Sequence, residues 1–181
     1  SFYLLAHTVQ IFFIISGMVI PISMILAGYQ YQHFWKFLWK RSLRIEPPYL
    51  VSMLIGMIYL FVRNFIPGSN PVNLFPTGKE ILLHIGYLIP FFEDTRWINA
   101  GYWTLAIEFQ YYISLALIFP LALSEKLSIR SIFYLILLSL PFLYNSGHCF
   151  TGWGSYFLLG LVYILLYFKR ISLWEYIIVS V

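Results

Sequence analysis

The chain has 181 residues, 61% of them apolar, 21% aromatic and only 10% charged, and its mean hydropathy is +0.81. A soluble domain carries about 25% charged residues because its surface must face water, so this composition excludes an ordinary soluble fold and points to a chain surrounded by hydrocarbon. The net charge of +4 forms no patch of the kind that binds nucleic acid, and a single cysteine, Cys149, excludes an internal disulfide framework or a thiolate metal cluster.

No Lys, Arg, Asp or Glu precedes Lys36. That run is longer than a signal-peptide core of about 7–15 residues, and it predicts a first membrane span over 8–28. Ser16-Gly17 in mid-span permits close helix approach, and Pro21 permits a kink. His7, at the end of this span, reads as an interfacial residue rather than a catalyst. The segment His33–Tyr49 follows. On a helix, Lys36, Lys40 and Arg44 recur at i, i+4 and i+8 as one basic stripe, with Arg41 beside Arg44. Two readings fit: cations meeting anionic headgroups at the membrane surface, or an anion clamp in which guanidinium forks grip phosphates. Pro47-Pro48 is expected to break the helix and start a second span, 47–65.

The long stretch 66–103 is the one sizeable non-spanning piece. Pro67-Gly68-Ser69-Asn70-Pro71 and Asn73 are turn formers. Ile81–Phe92, interrupted by His84 and Pro90, is too short to cross and fits a re-entrant or interfacial segment. Trp97, Tyr102 and Trp103 sit where an aromatic belt belongs. Further spans are expected over 104–123, 131–145 and 153–168, with a partial one from Ser172 to Val181. Ten helical residues rise about 15 Å, half of a hydrocarbon core of about 30 Å. Since residue 1 is Ser rather than Met, both ends read as cut.

If the first span runs outside to inside, the inward segments hold Lys36, Lys40, Arg41, Arg44, Lys126, Arg130, Lys169 and Arg170, and the outward ones only Arg63, Lys79 and Arg96. Eight against three is the positive-inside pattern. Within the complete spans Glu108 stands out as the one carboxylate. Unpaired burial would cost several kcal/mol, so such an acid is expected to face a cavity and mark a functional path. The plainer alternative is a packing hydrogen bond to Gln10, Thr104 or Gln110. His84 and His148 have no metal-ligand partner at useful spacing, so no metal site is expected. The absence of a Gly-rich phosphate loop excludes a nucleotide triphosphatase.

Four stretches in order resemble the acyltransferase-3 family of integral-membrane O-acyltransferases. They are Val9-Gln10-Ile11-Phe12-Phe13-Ile14-Ile15-Ser16-Gly17; then Arg41, Arg44, Ile45, Pro47 and Tyr49; then Trp103, Thr104, Leu105 and Glu108, with Thr where the family usually has Ser; and last Tyr156-Phe157-Leu158-Leu159-Gly160. The resemblance covers the whole chain. It implies an all-α, polytopic transmembrane bundle of about ten helices, of which residues 1–181 form part of one domain with about six spans. It also implies transfer of an acetyl or other short acyl group from acyl-CoA, a co-substrate rather than a bound cofactor, to a hydroxyl of a sugar or cell-surface polysaccharide. The setting it implies is the bacterial inner membrane.

On this resemblance Arg41, Arg44 and Tyr49 bind the acyl donor, Trp103 and Thr104 bind substrate, and Glu108 is catalytic. The family's catalytic histidine is expected on a preceding helix and has no match here, so these residues alone are expected to be inactive. Two other classes remain open from sequence. A transporter or flippase of a lipid-linked saccharide would also need an intramembrane acid and a basic inner segment; a membrane scaffold would need neither.

Overall fold

The computed structural model describes residues 2–63, 65–66, 76–92, 95–99, 101–143 and 149–180, with backbone only for 2–6, 140, 141 and 143. The described residues form seven α-helices: α1 (Phe2–Leu26), α2 (Phe34–Arg63), α3 (Gly78–Ile85), α4 (Tyr102–Ala122), α5 (Leu127–Leu143), α6 (Gly154–Tyr167) and α7 (Leu173–Ser180). Among the described residues four stretches are long and apolar enough to cross a membrane, His7–Leu26, Tyr31–Arg63, Tyr102–Ala122 and Phe150–Tyr167, while the expected span 131–145 overlaps α5, whose apolar stretch Leu127–Ser139 is shorter. Helices suit that setting because each satisfies its backbone N–H and C=O groups internally. The expected turn at Pro67–Asn73 lies outside the described residues, as does His148.

Contacts along the helices give their directions. Phe13 of α1 meets Trp103 near the start of α4, while Tyr29, just past the end of α1, donates its hydroxyl to the Ala116 carbonyl at 2.7 Å. These two helices therefore run parallel. Against α4, Arg41 of α2 lies over the Tyr112 ring and Tyr49 over Tyr102, so α2 runs antiparallel. In α6, Tyr156 bonds Gln10 at 2.9 Å and Gly160 meets Gly17, which makes α6 parallel to α1. The directions alternate as the charge count requires.

The tightest seam is the crossing of α1 and α6. A Cβ on Gly17 would stand 2.9 Å from the Phe157 Cα, and one on Gly160 would stand 2.8 Å from the Gly17 carbonyl carbon. Neither backbone can retreat, so small residues are required where the helices touch. Around this contact the fully buried Phe13, Tyr111 and Phe157 stack, with Tyr111 and Phe157 centroids 4.0 Å apart.

Two expectations are corrected. Pro47-Pro48 does not break the chain: α2 runs unbroken from Phe34 to Arg63. The two prolines lack N–H donors for the carbonyls four residues earlier, but both are exposed, and the buried face of Arg41, Tyr49 and Met53 packs the helix along its length. Tertiary packing overrides the breaker. At 30 residues, about 45 Å, α2 exceeds the hydrocarbon core, so its basic first turns form one rod with the span rather than a separate segment. Glu46 consequently lies within a long spanning helix, and Glu108 is not alone in that respect.

The stretch before α4 stays short. Thr77 caps α3 in a reciprocal capping box: its hydroxyl accepts from the Glu80 N–H at 3.3 Å, and Glu80 Oε2 accepts from the Thr77 N–H at 2.7 Å. With eight residues, α3 cannot cross, in keeping with a re-entrant or interfacial segment.

Candidate functional site

Three helices surround a cavity of about 490 Å³. From α1 comes Ser16; from α2 come Arg41, Arg44 and Tyr49; from α4 come Glu108 and Tyr112. The helical repeat explains the grouping. Arg41, Arg44 and Pro48 recur at i, i+3 and i+7 on α2, and Leu105, Glu108 and Tyr112 at i, i+3 and i+7 on α4, each a single face. With the expected span 104–123 running from outside to inside, Glu108 near its start falls toward the outer side and the arginines on the inner side. The continuous α2 carries Arg41 and Arg44 into the span, and all three residues line one space.

The charged groups here do not close on one another. Arg41 is 9% exposed; it donates through Nη2 to Ser23 Oγ, and its guanidinium lies 5.5 Å from the Phe37 ring centroid and 5.6 Å from that of Tyr112. Such cation–π contacts hold a guanidinium without neutralising it. Glu108 Oε1 accepts from the Tyr112 hydroxyl at 2.5 Å, and Ser16 lines the same cavity. Gln10, Thr104 and Gln110 go elsewhere: to Tyr156, to the Gly101 carbonyl at 2.8 Å, and to the Phe150 N–H at 2.8 Å. Glu108 is therefore held by the Tyr112 hydroxyl, within the field of Arg41 and Arg44, with the cavity beside it.

Arg41 and Arg44 also line a second cavity of about 420 Å³. Its wall includes Tyr29, His33, Lys36 and Lys40, on the side that the charge count assigns to the cytoplasm. The basic stripe thus faces a concave space. The two arginines part company within it, since Arg41 is buried and Arg44 exposed. A compartment walled by four cations selects anions, and guanidinium groups grip phosphate oxygens through charge-assisted bonds.

Tyr49 reaches the first cavity with one face of its ring while its hydroxyl donates to the His84 carbonyl at 3.1 Å. It stacks on Tyr87 at 5.2 Å and meets Tyr102 edge-on at 4.7 Å. His84 itself is fully buried: one ring nitrogen, Nδ1, donates to the Glu80 carbonyl at 2.8 Å, and Nε2 accepts from the Ile98 N–H at 3.1 Å. These partners fix the neutral ring, and burial lowers its pKa from the ordinary histidine value. Neither Trp103 nor Thr104 lines the cavity. Trp103 packs on Phe13 and on Trp153 at 5.7 Å, toward the α1–α6 seam.

Sequence reasoning missed Ser23, Tyr112 and the placing of Ser16 in the same cavity wall as Glu108. The signal was spacing: Ser23 follows Ser16 by seven residues, and Tyr112 follows Glu108 by four, each on the same helix face. Also missed was a closed ion pair beside the α4–α5 turn. Arg130 Nε and Nη2 donate to Glu175 Oε1 and Oε2 at 2.8 and 2.7 Å, Tyr134 donates to Oε1 at 2.9 Å, and Arg130 Nη1 donates to the Ser124 carbonyl at 2.6 Å. Among the described residues no cluster of His, Cys, Asp and Glu has the geometry of a metal site.

Comparison with protein-family models matches residues 2–181 to an acyltransferase domain, that of the acyltransferase-3 family. No curated protein and no solved structure matches the chain.

Proposed function

The chain belongs to the acyltransferase-3 family, and from that premise we propose that it moves an acetyl or other short acyl group from acyl-CoA to a hydroxyl of a sugar or cell-surface polysaccharide. Its place would be the bacterial inner membrane. The observation that carries this reading is that Arg41 and Arg44 line both a basic compartment and the cavity that holds Glu108. The phosphates of the donor would rest among Lys36, Lys40 and the two arginines. Its thioester end would then reach past the arginines toward Glu108. Two adjoining sites with opposite preferences suit a donor that is anionic at one end and neutral at the other.

The transfer itself needs little of the protein beyond placement and proton handling. The acceptor oxygen attacks the thioester carbonyl, the C–S bond breaks, and the acceptor's proton passes to a base and on to the departing thiolate. Glu108, fixed by Tyr112, would orient the group that takes that proton. Arg41, placed by Ser23 and two aromatic rings, would hold charge that develops on the carbonyl oxygen. Tyr49 would limit the cavity on the outer side, where it meets the α3 segment.

The test uses the full-length protein in proteoliposomes with labelled acetyl-CoA and a saccharide acceptor. The expected outcome is an ester-linked label on the acceptor, with the Michaelis constant for acetyl-CoA raised about tenfold by Arg41→Ala, as for loss of a charge-assisted hydrogen bond. Movement of the saccharide across the membrane with no acylation would replace this reading with a transporter.

A further inference from the structure

Two stripes run side by side along the first turns of α2. Lys36, Lys40 and Arg44 form the cationic one, which walls the basic compartment of about 420 Å³ together with His33 and Arg41. Trp35, Trp39 and Leu43 stand one residue earlier at the same i, i+4 and i+8 spacing, so they lie on the adjoining strip of the helix. They face away from the protein, with 76%, 66% and 53% of their surface exposed. No carboxylate lines the compartment, and Lys36, Lys40 and Arg44 are themselves exposed. An open tryptophan stripe beside a cationic one suits neither water alone nor hydrocarbon alone. Its rings favour the boundary between headgroups and acyl chains, where lipid phosphates stand.

The length of α2 puts the stripes at that depth. The helix runs about 45 Å against a hydrocarbon core of about 30 Å. Arg63 in its last turn marks the outer boundary, since a guanidinium avoids hydrocarbon. About 15 Å, or roughly ten residues, is left over, so the turns before Leu43 lie among the headgroups on the side assigned to the cytoplasm. The two readings of the basic stripe, headgroup contact and anion clamp, then describe one space with two occupants. We propose that the basic compartment takes the phosphate of an anionic lipid from the cytoplasmic leaflet, held by Lys36 and Lys40 with its acyl chains along Trp35, Trp39 and Leu43, and that acyl-CoA displaces this lipid to bind. The displacement rests on the donor reading given above; the lipid contact does not.

The experiment places the full-length protein in phosphatidylcholine nanodiscs with a trace of spin-labelled phosphatidylglycerol or spin-labelled phosphatidylcholine, and reads the motionally restricted fraction of each. Restricted phosphatidylglycerol is expected to exceed restricted phosphatidylcholine about fivefold, the scale of one basic contact. Lys36→Gln with Lys40→Gln, both at exposed positions, should bring the two lipids within about twofold of each other. Trp35→Ala with Trp39→Ala should lower the excess and leave coenzyme A affinity in pure phosphatidylcholine discs unchanged. Added coenzyme A should release the restricted phosphatidylglycerol. Equal restriction of the two lipids, or an excess indifferent to the lysine variant, would overturn the proposal. So would phosphatidylglycerol that stays restricted while coenzyme A binds, because the two would then occupy different places. If coenzyme A binds in no disc while the lysine-dependent excess persists, the lipid contact stands and the donor reading fails.

Discussion

The molecule holds two arginine–glutamate couples in or near the membrane, and they are built in opposite ways. Arg130 and Glu175 meet through two bonds of 2.8 and 2.7 Å, Tyr134 takes a further place on the carboxylate, and carbonyls of the α4–α5 turn take the remaining guanidinium donor. Every strong group is closed. Arg41 and Glu108 share a cavity but do not bond each other; Ser23, Phe37 and Tyr112 hold one, while the Tyr112 hydroxyl holds the other. A buried pair that serves the fold spends its charges on itself. The second couple is positioned by neutral groups, which leaves its charges to act on something that enters.

The sharpest way to break this comparison is to neutralise one carboxylate from each couple. Glu108→Gln keeps shape and burial, so the thermal midpoint should stay within a degree or two while turnover falls about a hundredfold or more, in the range of a lost proton-handling group. Full activity in this variant would end the assignment of Glu108. Glu175→Ala should do the reverse. It strands a buried guanidinium, which costs about 3 kcal/mol, while the Michaelis constant of the surviving folded protein is unchanged. Joint replacement, Arg130→Met with Glu175→Leu, should restore most of the stability, because a well-packed apolar pair needs no compensation.

The α1–α6 seam gives a smaller effect of a third kind. Gly17→Ala adds one methyl where the Phe157 backbone leaves no space, and overpacking of that sort costs about 1–3 kcal/mol. Denaturation of the full-length protein should show the loss, and Ser16, one residue away, should carry part of it into turnover. An unchanged midpoint would mean that the two helices are free to separate.

How much of this was legible in the sequence follows from range. Four of the expected spans, their alternating directions and the short α3 segment are local properties of hydropathy and charge, and the structure agrees with them. The convergence of Arg41, Arg44 and Glu108 was not legible, because the span layout set them on opposite sides and only the unbroken α2 brings them to one cavity. Pro47-Pro48 misled because a local breaker was weighed without the packing of Arg41, Tyr49 and Met53 that keeps α2 straight through it. The Arg130–Glu175 pair was out of reach, since the partners are 45 residues apart and nothing in either neighbourhood marks the other. Trp103 shows the limit of a motif: its neighbours on α4 face the cavity, but the helical turn sends its ring toward Phe13 and Trp153.

His84 sharpens the comparison from the uncharged side, with the smallest effect. It is closed as completely as Arg130, yet by two backbone groups, and only the neutral ring can accept from the Ile98 N–H while donating to the Glu80 carbonyl. Burial sets its folded pKa below the unfolded value of about 6.5. The unfolded chain therefore binds the proton first as pH falls. The stabilising contribution of His84 is complete above about pH 6.5 and is lost progressively between that value and the lower folded pKa. Thermal midpoints of the full-length protein from pH 8 to pH 5 should decline on the acid side, and His84→Phe should start lower but decline less. If both proteins lose stability in parallel, the ring is not held neutral, and closure of a buried group in this protein would require a formal charge after all.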